Sequence, residues 1–125
     1  MKDKLDRLND IKIENFIWII YIIIIILSYY ANNIETKYIL YNNPKDKEEY
    51  RKLLLIIFTI LTIIYIFFTY ESYKDVKELD DNDSMKKKNL TYLSALASTL
   101  ILISGIIYLI IVLQDENIDL EIAFN

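Results

Sequence analysis

Three long stretches of this chain carry no charge at all: 16–30, 53–70 and 90–113. The 14 Lys/Arg and 18 Asp/Glu residues all lie outside them, although 54% of the chain is apolar. A soluble helical domain mixes the two residue kinds, so that each helix has a wet face and a dry one. Segments such as IWIIYIIIIIL at 17–27 have no wet face to offer. A bilayer core takes about 20 residues of mostly apolar helix, within a range of about 17–25. The second and third stretches meet that length directly, and the first needs Ile11 and Ile13 or the residues beyond Tyr30 to complete it. The β-branch of isoleucine favours strands in water, but lipid offers the backbone no partner outside its own segment, so helix wins.

The expected architecture is therefore an all-α integral membrane protein, one domain over 1–125 with spans at about 13–31, 53–70 and 90–113. The opening MKDKLDRLNDIKIEN mixes four basic with four acidic residues, unlike the basic lead of a signal peptide, so the first helix is expected to be retained. With three spans, Lys2, Lys4, Arg7, Lys12, Lys74, Lys77, Lys86, Lys87 and Lys88 share one side of the bilayer. Lys37, Lys45, Lys47, Arg51 and Lys52 share the other. The excess of basic residues puts the N-terminus in the cytoplasm and the C-terminus outside the cell membrane.

The segments between spans carry helix signals of their own. Leu27, Tyr30, Ile34, Tyr38 and Tyr41 continue a helical spacing up to Asn42-Asn43-Pro44. Asn43 suits an N-cap and Pro44 the first helical position, with Asp46 and Glu48 following, and Glu48–Lys52 forms a favourable i,i+4 pair. Helices 1 and 2 are thus expected to project beyond the bilayer as a hairpin over about 32–52. On the cytoplasmic side, 71–89, an extension of helix 2 should end at DDNDS (80–84), where Asp83 or Ser84 can cap helix 3.

In the tail, 114–125, Ile118, Leu120, Ile122 and Phe124 alternate with Asp119, Glu121, Ala123 and Asn125, the period of a half-buried strand. With no other strand signal in the chain, this short strand-like tail is a candidate contact for the hairpin, a second copy, the bilayer interface or another protein.

Each span also has a face richer in small or polar residues. These are Trp18, Tyr21 and Ser28 in the first, Thr59, Thr62 and Thr69 in the second, and Ser94, Ser98 and Gly105 in the third. Small residues let backbones approach and hydroxyls bond across helices, so these nine are expected to form the helix–helix seam. Glu14 and Glu71 stand at the cytoplasmic edge, where an ion pair with Lys86–Lys88 is expected.

Catalytic chemistry finds little foothold. The chain has no Cys and no His, so thiolate chemistry and the commonest general base are both missing. No nucleophile–base pair, phosphate loop or metal-ligand spacing stands out, and DDNDS lacks the Gly and distal Glu of a calcium loop. A net charge of −4 argues against a nucleic-acid partner. The expected role is non-catalytic and needs no cofactor: a small structural or accessory protein, acting in the lipid bilayer by association with another membrane protein or with copies of itself. The alternative is a subunit of a homo-oligomeric channel or transporter.

Overall fold

A computed structural model of the protein describes residues 4–117 as three α-helices: α1 (Lys4–Tyr41), α2 (Pro44–Lys77) and α3 (Met85–Gln114). No strand occurs among the described residues, and the alternating positions Ile118, Leu120, Ile122 and Phe124 lie outside them. All three helices are long and apolar enough to cross a membrane, as in a multi-pass membrane protein. At 1.5 Å per residue, α1 and α2 reach about 57 and 51 Å, well beyond a hydrocarbon core of about 30 Å.

The turns are as short as the sequence implies. Asn42 adopts a left-handed backbone (φ 53°) and its N–H donates to Tyr38 O at 2.8 Å, which stops α1. Asn43 then caps α2: its side-chain oxygen accepts from Lys45 N at 3.1 Å, and Pro44 opens the helix. At the other end Glu78 closes α2 through Lys74 O, and Ser84 Oγ accepts from Lys87 N at 3.1 Å to start α3.

Asp83 organises this second turn. Its carboxylate accepts from Asp80 N at 2.9 Å and from Lys87 Nζ at 3.0 Å. The Asp80 backbone N–H first, and the Lys87 ammonium next, hold the Asp83 carboxyl below its ordinary value. Its contribution is therefore complete above the ordinary carboxylate range and is lost as pH falls through the lowered value. Removing the group with Asp83→Ala should flatten the acid side of the stability profile, read by thermal unfolding between neutral and strongly acidic pH.

Helix α2 is the middle of the fold. It packs α1 on one side and α3 on the other, while α1 and α3 make no backbone-level approach among the described residues. On α1 the buried positions are Ile17, Ile24 and Ala31, seven apart, with Ile34; they meet Ile57 and Ile64 along one length and Tyr50, Leu54 and Phe58 along the other. A seven-residue repeat keeps one stripe of each helix facing its neighbour, as in left-handed helix pairs. Val112 of α3 completes the second cluster.

Candidate functional site: an interhelical furrow and a hydroxyl seam

Because α1 and α3 stay apart, one face of α2 is left as the floor of a furrow between them. Its polar half is a cleft of about 410 Å³ with Arg7, Asp10 and Glu14 on α1, Glu71 and Asp75 on α2, and Ser94 and Ser98 on α3. Its apolar half, of about 550 Å³, lies over Phe58 and Leu61 beside Ser104, Gly105 and Tyr108. Tyr21 and Tyr65 border both halves. A third cleft of about 280 Å³ continues past Tyr65 to Ile57 and Ser28. From Phe58 to Asp75 the floor between α1 and α3 runs seventeen residues, about 26 Å of helix.

Beside the furrow, α2 and α3 are joined by hydroxyls. Ser72 Oγ and Ser98 Oγ are 2.7 Å apart, and Thr69 Oγ1 lies 3.1 Å from Ser98 O and 2.7 Å from Tyr65 O. Tyr73 OH and Thr99 Oγ1 are 3.0 Å apart. Thr62 Oγ1 donates back to Phe58 O at 2.7 Å in its own helix. Interhelical bonds of this kind in membranes average about 0.6 kcal/mol, with a maximum near 1.7. A double-mutant cycle of Ser72→Ala and Ser98→Ala should return a coupling in that range, read from unfolding in detergent.

At Gly105, α3 lies directly against side chains of α2. A Cβ there would stand 2.9 Å from Tyr65 Cδ2 and 3.2 Å from Cε2, so the Tyr65 ring occupies the space a side chain would take. Further along, the end of α3 is held from α2. Arg51 Nη2 donates to Val112 O and Leu113 O, both at 3.3 Å. Lys47 Nζ reaches Asn117 Oδ1 at 3.0 Å.

Of the nine residues expected at the seam, Thr62, Thr69 and Gly105 are buried, and Ser98 joins the α2–α3 hydroxyl ladder. Tyr21 is half-buried at the furrow wall, and its ring meets Trp18 edge-on at 5.6 Å. Trp18 itself is 65% exposed, and Thr59 and Ser94 are also exposed. Ser28 borders the third cleft. The expected ion pair between Glu14 and Lys86–Lys88 does not form. Glu14 Oε1 instead lies 3.1 Å from Arg7 Nη1, two turns back on its own helix, while Lys87 takes Asp83 and Lys88 takes Asp81 O.

Ser72, Tyr73 and Arg51 went unmarked in the sequence reading of the site. The signal for Arg51 was its place two residues before an apolar run, facing a third helix with no basic residue in its last turn.

Among the described residues no group of His, Cys, Asp and Glu has a metal-holding arrangement. Compared with protein-family models, with curated proteins and with solved structures, this chain matches none.

Proposed function

We propose that this chain is a non-catalytic membrane protein, N-terminus in the cytoplasm and C-terminus outside, acting as a structural or accessory component through association with another protein. The observation that carries the reading is the hairpin tip. There Ile39, Leu40 and Tyr41 are 66%, 65% and 75% exposed, on the part of α1 that runs past the length a bilayer needs. Apolar side chains grouped in water mark a surface that another molecule covers. The buried hydroxyls of α2 support the same reading over a channel, since Thr62 and Thr69 bond backbone carbonyls within the bundle.

Two experiments test it. Crosslinked recovery from native membranes should bring down a different protein, and Ile39→Glu with Leu40→Glu should reduce its yield severalfold. Recovery of only this chain, unchanged by those substitutions, would overturn the association reading. A parallel chain ending at Asn117 keeps both α2–α3 ties and asks whether Ile118, Leu120, Ile122 and Phe124 contribute to docking.

Orientation is tested separately, and the absence of Cys makes single-cysteine labelling clean. Asn42→Cys should react with a membrane-impermeant maleimide on intact cells, and Asn82→Cys only after permeabilisation. The reverse pattern would invert the topology.

A further inference from the structure

We propose that the outward face of α3 from Leu90 to Ala97 docks on lipid, so that the leaflet at the α2–α3 turn stays on α3 past the level where α2 leaves it. The uncharged runs of the three helices differ in length. Those of α1 and α2, 15–34 and 53–70, make about 30 and 27 Å of helix, close to a hydrocarbon core of about 30 Å. That of α3, 89–114, makes about 39 Å.

Contacts with α2 place the excess at one end. Arg51 Nη2 on Val112 O and Leu113 O sets the end of α3 level with the start of the apolar run of α2. At the other end Ser72 Oγ meets Ser98 Oγ, two residues past Tyr70, where the run of α2 stops. Residues 89–97, about 14 Å of helix, therefore lie beside the charged continuation of α2, with Lys74, Asp75 and Lys77. Asp75 borders the same cleft as Leu90, Thr91 and Ser94, as that register requires.

The distribution of apolar side chains selects lipid as the cover. Ala95 is buried, while the exposed Leu90, Tyr92, Leu93 and Leu96 spread over nearly half the helix circumference. A partner helix covers one narrow stripe of its neighbour, whereas acyl chains wet every outward side chain. The same face runs on through exposed Leu100, Ile103 and Ile107 into the span, with no charge between. An over-long apolar helix keeps its lipid by tilting or by thickening the bilayer locally, at modest cost. Leaving four large apolar side chains in water forfeits their transfer energy instead. Exposed Lys86, one turn beyond Leu90, then reaches the headgroups.

This lipid surface is independent of the hairpin association above. Nitroxide labels on single cysteines test it, in the full chain reconstituted alone into phosphatidylcholine vesicles. Oxygen collides with labels in lipid, and a nickel chelate with labels in water. Leu93→Cys and Leu96→Cys should favour oxygen over the chelate severalfold, as Ile103→Cys in the span does. Lys77→Cys, exposed on α2 and as far from the Ser72–Ser98 contact as Leu93 is, should favour the chelate. Chelate-dominated collisions at Leu93→Cys and Leu96→Cys would put this face in water. Labels shielded from both reagents would put a second copy of the chain on it. Either result overturns the lipid surface.

Discussion

Arg51→Ala should cost about 2–3 kcal/mol in unfolding measured in one fixed detergent, because two charged-donor hydrogen bonds and a helix-end charge disappear together. The last four carbonyls of α3 all have partners in the intact protein. Ile111 O accepts from Asp115 N at 2.8 Å and Gln114 O from Glu116 N at 3.0 Å, leaving Val112 O and Leu113 O to the guanidinium. Removing Arg51 strips both at once, beside a buried Val112 that packs in the Ala31–Tyr50–Leu54 cluster. Arg51→Lys should recover part of the loss: its ammonium keeps the attraction to the negative helix end but lacks the rigid, planar guanidinium whose Nη2 is held between the two carbonyls. An Arg51→Ala protein as stable as the parent would mean that α3 is held by its hydroxyls and apolar contacts alone.

Gly105→Leu should be at least as damaging, by about 2–4 kcal/mol. Its Cβ would stand 2.9 Å from Tyr65 Cδ2 and 3.5 Å from Thr62 Oγ1, so α2 and α3 must separate or Tyr65 must swing away. Gly105→Ala separates the two effects. Helix propensity gains up to about 1 kcal/mol, while the ring must move by several tenths of an ångström. If Tyr65 yields into the furrow, Ala is close to neutral; if the ring is fixed, Ala destabilises and Tyr65→Phe does not rescue it. Thermal unfolding of the three variants distinguishes these outcomes.

The helices and their ends were legible because they depend on local chemistry. Charge-free stretches too long for a small soluble core required spans, and Asn43-Pro44 and Ser84 marked helix starts that the structure places there. The phase of the helices was harder to read. In α1 the face against α2 is Ile17, Ile24, Ala31 and Ile34, chemically the same as the exposed Ile19, Ile22, Ile23 and Ile26. With lipid as apolar as the partner helix, nothing in composition tells the two faces apart.

Trp18 and Thr59 are exposed, where each can satisfy itself at the surface. Gly105 lies against the Tyr65 ring and Ser98 bonds across to α2, tasks that only a few residue types perform. Arg51 and the furrow depend on elements far apart in the chain, and no local pattern encodes them.

The separation of α1 from α3 has a consequence for synthesis. Among the described residues, every helix–helix interface lies between neighbours in chain order, joined by turns of two and seven residues. The chain emerges from the ribosome N-terminus first. The α1–α2 pair can therefore complete its own interface before α3 exists, and α3 then adds to a finished template. Arg51 and Ser72 wait on that template for the last helix to arrive.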